Sequence, residues 1–254
     1  SLRGYDVVFI NGTIANQAAY QFGYDNPQYS FVFCSITDPV GVGLVEELNV
    51  KPVANFTGVA FGLPIEERLR YLQEVLPEAR TIGMIYAEMP QSLSYVAKLK
   101  EVLQQPEFSH LKVVFRSIPF VNSDLGHVRM LSLLEKPVLE LSSEVDLFMT
   151  PSDQLGIRQE FARVVTSVTD KPLMGLSEME VKKWGAHFGL YPVLEQSGTA
   201  AGRMIARVLR GESIQDIIPT YPVGVFGVNL TQSEKIGLHY PDQLLTKVGM
   251  QVFE

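Results

Sequence analysis

The chain has 254 residues, of which 46% are hydrophobic and 19% are charged, and its formal net charge at pH 7 is −7. These values exclude a disordered chain, allow one large domain or two smaller ones, and argue against nucleic acid or an anionic membrane surface as the main partner. No stretch reaches the roughly 18 uninterrupted apolar residues of a membrane span, and the first residues lack a signal-peptide core, so we expect any targeting segment to have been removed.

Apolar runs alternate with helical patterns along the first part of the chain, which is typical of β-α-β units with a parallel sheet. Strands are predicted at residues 7–10, 31–36 and 56–61. Helices are predicted after Asn11-Gly12-Thr13, after Thr37-Asp38-Pro39, and from Pro64 to Leu76. In the second of these helices, Asp38 is placed to cap free N–H groups and Pro39 fits the first turn. Cys34 lies in an apolar run and is predicted to be a buried thiol.

The same pattern repeats in the second part of the chain. Strands are predicted at residues 81–86, 111–115, 145–149, 171–176 and 221–229. Helices are predicted to begin near Ser92 or Ser94, near Ser123 or Asp124, after Asp153, after Ser177-Glu178, at about Glu195 and at Pro241. Residues 184–191 are too rich in glycine and aromatic residues for an ordinary strand, and Pro137 is predicted to end or kink a helix.

This repetition predicts an α/β fold with two Rossmann-like lobes, whose parallel sheets are joined by crossover hinges. Residues 1–78 plus about 190–225 would form the N-terminal lobe, which is incomplete. Residues 79–189 plus about 226–254 would form the C-terminal lobe. The predicted hinges lie near Pro77, within 185–192 and within 219–222.

Motifs for catalysis, metals and cofactors are missing from the sequence. The four histidines are widely separated, and none has the spacing of a zinc site. The sequence has no nucleophile elbow or Walker loop, and Gly41-x-Gly43 lacks the third glycine of a dinucleotide fingerprint. We therefore predict no enzyme activity, no catalytic residue, no metal and no cofactor.

Polar residues at the predicted carboxyl ends of strands suggest a binding site instead, since open α/β sheets bind ligands at these ends. A cleft between two lobes, lined by hydroxyls, backbone N–H groups and carboxylates, suits a small polar or zwitterionic ligand. The alternative for each residue is helix capping. The candidates are Thr13, Thr37, Asp38 and Thr57 in one lobe, and Tyr86, Asp153 and Glu178 in the other.

Five short motifs resemble one known family. They are Gly12-Thr13-x-Ala15, Thr37-Asp38-Pro39-Val40-Gly41-x-Gly43-Leu44-Val45, Asn55-x-Thr57-Gly58-Val59, Leu76-Pro77-x-Ala79-x-x-Ile82-Gly83 and Val208-Leu209-x-Gly211. Together they resemble the extracytoplasmic solute-binding proteins of ABC importers, of the tryptophan/tyrosine-binding type. The resemblance covers most of the chain.

The resemblance implies a type I periplasmic-binding-protein fold, in which two lobes close on an amino acid or similar small molecule and then dock on a membrane permease. It also implies a periplasmic or otherwise extracytoplasmic location, with a lipid anchor on the full-length precursor. The implied ligand contacts are Thr13, Thr37, Asp38 and Thr57 in one lobe, and Tyr86, Ser92, Asp153 and Glu178 in the other.

The chain departs from the family in two ways. Family members usually have a further β-α-β-α unit before the strand at residues 7–10. Without that unit an exposed sheet edge is expected, where a partner such as a second copy of the chain could pair. The family also tends to have an aspartate after the glycine-rich crossover, where this chain has Gly189-Leu190-Tyr191-Pro192-Val193. Tyr191 or Trp184 is therefore expected to offer the ligand an aromatic surface.

Two other functions remain open at this stage. A domain of the same fold could sense a ligand within a membrane receptor such as a histidine kinase. An α/β enzyme is the third possibility, because a fold does not determine a function.

Overall fold

The computed structural model describes residues 4–254, which form two compact units. The first unit contains the residues up to Leu63 together with Pro192–Gly224, and the second contains Pro64–Tyr191 and Val225–Glu254. Each unit is therefore assembled from two separate stretches of sequence. The division differs from the predicted one mainly at residues 64–78, which belong to the second unit.

The strands and helices have the following bounds. The strands are β1 (Val8–Asn11), β2 (Phe31–Ile36), β3 (Phe56–Ala60), β4 (Thr81–Ala87), β5 (Lys112–Ile118), β6 (Leu147–Met149), β7 (Leu173–Gly175), β8 (Phe188–Pro192), β9 (Gly224–Asn229) and β10 (Met250–Phe253). The α-helices are α1 (Thr13–Gly23), α2 (Ile65–Val75), α3 (Pro90–Val102), α4 (Gly126–Ser132), α5 (Glu135–Ser142), α6 (Gln159–Val168), α7 (Leu194–Leu209), α8 (Leu230–Glu234) and α9 (Asp242–Leu245).

The first unit is built on a parallel three-stranded sheet with the order β1-β2-β3. Strand β2 is covered on both faces, as its unbroken apolar sequence predicted. Phe31 and Phe33 pack on one side of it, whereas Val32 and Cys34 pack on the other with α7 through Ala201. Cys34 is a buried free thiol, as expected.

The second unit contains a seven-stranded sheet with the order β10-β9-β8-β7-β6-β4-β5. Strand β4 pairs in parallel with β5 on one side and with β6 on the other. The chain runs from the carboxyl end of β4 towards β5, and from the carboxyl end of the neighbouring strand β6 in the opposite direction, towards β7. Neighbouring strands whose connections run opposite ways leave a crevice at their carboxyl ends, and this topological switch point is where such sheets bind ligands.

The loop after β2 corrects one prediction, because residues 37–50 form consecutive turns and no helix. Asp38 does not cap a helix; its Oδ1 accepts a hydrogen bond from the Gly41 N–H at 2.7 Å. Gly43 has φ +84°, a left-handed conformation that interrupts helical hydrogen bonding. The residues chosen as helix-start signals therefore stabilise a compact loop.

The segment before α7 corrects a second prediction. Residues 188–192 form the regular, fully buried strand β8. Gly189 makes this strand possible, because a Cβ there would lie 2.9 Å from the carbonyl oxygen of Gly175 on β7. The glycine that argued against a strand in the sequence permits close packing in the structure.

The predicted helix before Pro137 does end, since α4 stops at Ser132 and Pro137 lies in the first turn of the next helix, α5, where proline is tolerated. Local signals were misread at one helix start and one turn. Helix α4 begins at Gly126 without a side-chain cap from Ser123 or Asp124. After Ser177-Glu178 only a π-helical turn forms, at Glu180–Trp184.

Candidate functional site

Asp153 lies at the switch point of the second unit, just after β6, and its carboxylate accepts four hydrogen bonds. Its Oδ2 accepts from the Ala87 N–H and the Ser92 hydroxyl, both at 2.9 Å. Its Oδ1 accepts from the N–H groups of Leu155 and Gly156 at 2.8 and 2.9 Å. Burial raises the pKa of Asp153, against the opposing effect of these donors. Asp153 and Ser92 were both predicted site residues, and the structure brings them together to brace the ends of β4 and β6.

A second buried carboxylate, Glu180, lies beyond β7 and was not predicted. Its Oε1 accepts from the Thr150 hydroxyl at 2.8 Å, and its Oε2 accepts from the Leu176 N–H at 2.7 Å and the Ser177 hydroxyl at 3.3 Å. Burial raises the pKa of Glu180 from 4.5 to about 7, although the charge of Arg68 acts in the other direction. The spacing Ser177-x-x-Glu180 matches a capping box, a signal that could have identified this residue.

Glu178, which the sequence singled out, lies elsewhere. Its side chain is exposed, and its Oε1 lies 3.4 Å from Nζ of Lys182 one helical turn later. An exposed pair of this kind is weak because water screens both charges. A ligand contact by Glu178 remains a prediction, while the buried carboxylate of this segment belongs to Glu180.

Arg68 is a second charged residue that sequence reasoning missed. It lies on α2, is only 1% exposed, and donates from Nη1 to the Tyr95 hydroxyl at 2.7 Å. The guanidinium carbon lies 6.0 Å from the centroid of the Tyr95 ring. Within residues 4–254, Nε and Nη2 of Arg68 have no acceptor, and the hydroxyl of Ser152 also lacks a partner. The sequence feature that could have identified Arg68 is its position on the apolar face of α2, three residues after Ile65 and four before Leu72.

The predicted residues of the first unit follow β1 and β2. Thr13 is the first residue of α1, after Gly12 with φ +86°. Thr37 and Asp38 begin the turn-rich loop, and all three predicted residues are half-buried. They lie at the carboxyl ends of the neighbouring strands β1 and β2, as predicted.

Thr57 is placed differently from the prediction. It is the second residue of β3 and lies at the amino end of the strand, because the strand continues to Ala60. Its fully buried hydroxyl donates to the carbonyl oxygen of Ile217 at 2.6 Å. This hydrogen bond ties the sheet to the segment after α7, which favours a structural role.

We therefore expect Thr57→Val to lower the free energy of unfolding by about 1–2 kcal/mol, because the Ile217 carbonyl loses its buried donor. Urea unfolding followed by circular dichroism measures this change. The exposed Thr246 offers a matched control, and Thr246→Val should change stability by less than about 0.5 kcal/mol. A Thr57→Val protein of unchanged stability but weakened ligand binding would instead identify Thr57 as a ligand contact.

Asn55 and Gly58 also have structural roles within the Asn55-x-Thr57-Gly58 motif. The Asn55 side-chain Nδ2 lies within hydrogen-bonding distance of three carbonyl oxygens at 2.9–3.0 Å, and its Oδ1 accepts from the Asp25 N–H at 2.8 Å. The three carbonyls belong to Gly23, Asn26 and Tyr29. Gly58 has φ +154°, and a Cβ there would lie 2.1 Å from the Phe33 carbonyl oxygen. The motif therefore joins β3 to β2 and to the loop after α1.

The two predicted tyrosines differ in exposure. Tyr86, near the end of β4, is half-buried, with its ring edge-on to Phe115 at a centroid distance of 6.3 Å. Tyr191 is 1% exposed and packs in the core of the second unit, where its hydroxyl donates to Oε1 of Gln251 at 2.7 Å. The expected aromatic surface at Tyr191 is thus a core contact in this structure.

Comparison with known proteins identifies the family. The family model described as ABC transporter substrate binding protein matches residues 2–252. The chain belongs to the ABC transporter substrate-binding protein family. This substrate-binding protein is 27% identical over 215 residues to a tyrosine-binding protein of Clostridioides difficile strain R20291, an alignment that covers 84% of this chain. The same alignment covers 57% of the relative, so the chain spans little more than half of that protein's length.

Solved structures confirm the fold of this substrate-binding protein. An ABC domain from Streptococcus pneumonia in complex with L-Trp superposes with a TM-score of 0.74 at 24% identity, covering 99% of this chain and 82% of that one. A conserved domain protein from Vibrio cholerae gives a TM-score of 0.76 at 20% identity, covering 98% and 78%. The predicted type I periplasmic-binding-protein fold is therefore confirmed.

The described residues 4–254 contain neither a cluster of metal ligands nor a helix suited to cross a membrane. Within this range, no cluster of three or more His, Cys, Asp or Glu side chains is arranged to hold a metal ion. No helix in the same range combines the length and apolarity needed to cross a membrane.

Proposed function

We propose that this protein binds a small polar solute, an amino acid or a related small molecule, and delivers it to an ABC importer without altering it chemically. The observation that carries the proposal is the family match across residues 2–252. The names of two relatives agree with the ligand class, since one is called a tyrosine-binding protein and another was solved with L-Trp.

The polar end of the second unit supports the same ligand class. Asp153 and its donor Ser92 lie at the switch point of the sheet, where open α/β sheets take up small ligands, and Tyr95, one helical turn after Ser92, holds Arg68. The Nε and Nη2 atoms of Arg68 and the Ser152 hydroxyl have no partner within residues 4–254 and are available to a polar solute. A zwitterion supplies both the acceptors and the donors that such groups need.

The proposal includes the partner and the location. The protein would dock on a membrane permease of the ABC type and act outside the cytoplasm, with a lipid anchor on its full-length precursor. The predicted contacts Thr13, Thr37 and Asp38 in the first unit remain part of the proposal, as do Tyr86 and Ser92 in the second.

A thermal-shift panel of the twenty amino acids tests the proposal, with neutral sugars as controls and mass spectrometry of any ligand released from the purified protein. A true ligand at about 100 times its Kd stabilises the folded state by about 2.7 kcal/mol and raises the melting temperature accordingly. The recovered ligand should have an unchanged mass. Failure of every amino acid to stabilise the protein, or recovery of a converted product, would contradict the proposal.

A further inference from the structure

We propose that Arg68 binds the carboxylate of the solute through the edge of its guanidinium formed by Nε and Nη2. This inference rests on the proposed function and adds the contact that selects a carboxylic acid. The strongest reason is the state of Arg68 itself, which is a buried cation without a direct ion pair in the described structure, although its charge acts at longer range on Glu180.

Burial makes the position of Arg68 costly. Its side chain is 1% exposed, and it forms no ion pair with any residue in the range 4–254. Arginine keeps its charge at all ordinary pH values, so it cannot become neutral to avoid the loss of hydration. A buried guanidinium without a counter-ion is destabilising, and an anion that completes its hydrogen bonds removes much of that penalty.

The unpartnered atoms of Arg68 match one chemical group. Nη1 is held by the Tyr95 hydroxyl at 2.7 Å, while Nε and Nη2 remain without acceptors. Nε–H and one Nη2–H point in parallel along one edge of the planar group, at a separation that fits the two oxygens of a carboxylate. Tyr95 fixes the guanidinium from the other side, so little side-chain freedom is lost when the ligand binds.

The surrounding carboxylates are already engaged, which leaves Arg68 for an external anion. Asp153 accepts four hydrogen bonds, and Glu180 accepts three from Thr150, Leu176 and Ser177. Neither lies within ion-pair distance of Arg68 in the described structure.

Helix α3 connects Arg68 to the switch point through two of its side chains, Tyr95 and Ser92. Tyr95, which holds Arg68, lies one helical turn after Ser92, which donates to Asp153 at the end of β6. Residues three apart share a helix face, so Arg68 and Asp153 approach the same side of α3. The guanidinium therefore belongs to the polar cluster at the crevice where a solute is expected.

The test compares each amino acid with the amine that lacks its carboxylate. Isothermal titration calorimetry of the wild-type protein and Arg68→Gln would use L-tyrosine with tyramine and L-tryptophan with tryptamine. Loss of a charged bidentate contact is expected to weaken binding of the amino acid by about 10- to 100-fold. Binding of the corresponding amine should change by less than about 3-fold, because it has no carboxylate to lose.

Arg70→Gln is a matched control on the same helix. Arg70 is exposed and paired with Glu107, its Nε lying 2.7 Å from Oε1, so its replacement should leave both ligands unaffected. Arg68→Met gives an independent readout, since removal of a buried unpaired charge should raise the melting temperature of the ligand-free protein by about 2–4 °C.

The outcomes separate this inference from the proposed function. If Arg68→Gln weakens binding of the amino acid and of the amine equally, or changes neither affinity, Arg68 does not bind the carboxylate. The proposal that the protein binds a solute is not affected by that result. If Arg68→Met has a lower melting temperature than the wild type, and Arg68→Gln loses equal affinity for the amino acid and the amine, Arg68 has a structural role. Failure of the wild-type protein to bind either amino acid would contradict the Arg68 contact with these two ligands, whereas the proposed solute binding is contradicted only when every amino acid fails to bind.

Discussion

Replacing Asn55 with aspartate is expected to lower the free energy of unfolding by about 3–5 kcal/mol. The change removes the only side-chain amide that serves the carbonyl oxygens of Gly23, Asn26 and Tyr29 in the described structure, and it places a carboxylate against them. The carbonyl oxygens of Gly23 and Asn26 keep backbone donors, the N–H groups of Asn26 and Tyr29, whereas the Tyr29 carbonyl loses its donor. A buried acceptor left without a donor costs about 1–3 kcal/mol, and an unpaired buried charge adds to that cost. The effect is large because one side chain connects a whole loop to β3.

Urea unfolding at pH 7 measures the loss, and hydrogen exchange locates it. Amides of β2 and β3 should lose protection, since both strands lie beside the loop that Asn55 anchors. Asn122→Asp makes the same chemical change at an exposed position and should alter stability by less than about 0.5 kcal/mol. Equal stabilities for the two variants would show that the Asn55 contacts contribute little.

The Glu180→Gln variant is expected to gain stability relative to the wild-type protein as the pH rises from 4 to 8. In the folded state burial raises the pKa of Glu180 from 4.5 to about 7. Between these two pH values the carboxyl group of Glu180 holds a proton in the folded protein that it has released in the unfolded chain. Its contribution to the free energy of unfolding is therefore complete below pH 4.5 and is lost as the pH rises through 7. Glutamine has no such proton. The stability difference between Glu180→Gln and the wild type should therefore grow by about 3 kcal/mol from pH 4 to pH 8.

Denaturant unfolding of both proteins across this pH range gives the comparison directly. His187 works in the opposite direction, because burial lowers its pKa to about 4, but it is present in both proteins and its contribution cancels. Glu178→Gln makes the same chemical change at an exposed position two residues earlier and should alter stability at pH 7 by less than about 0.5 kcal/mol. Parallel curves for wild type and Glu180→Gln would mean that Glu180 titrates in the folded state as it does in the unfolded chain.

Much of the fold followed from hydrophobic patterning. Strands such as β2 and β4 were predicted nearly to the residue, because long apolar runs in parallel sheets are buried on both faces. Strand β8 and the loop after β2 were misread for a common reason. Glycine and proline signals are local, but Gly189 and Gly43 are explained by close packing and a left-handed turn that depend on the rest of the fold.

The candidate site was only partly predictable. Asp153 and Ser92 were recognised from their positions after a strand and at a helix start, and the structure brings them within 2.9 Å of each other. Arg68 and Glu180 were missed although an apolar helix face and a capping-box spacing mark their positions, because these patterns do not show that a neighbouring element buries the two side chains. The polar partners of a buried charge are set by tertiary contacts between distant parts of the sequence.

The interleaved construction of the two units also determines how the chain acquires its structure. The hydrogen bond from Thr57 to Ile217 joins residues 160 positions apart, and the one from Tyr71 to Gly227 joins residues 156 apart. Such contacts form slowly, because long loops must close before they are stabilised. A growing chain that ends at residue 191 still lacks the closing segments of both units. The apolar strands β1, β2 and β3 therefore remain exposed to aggregation until residues 192–224 have been synthesised.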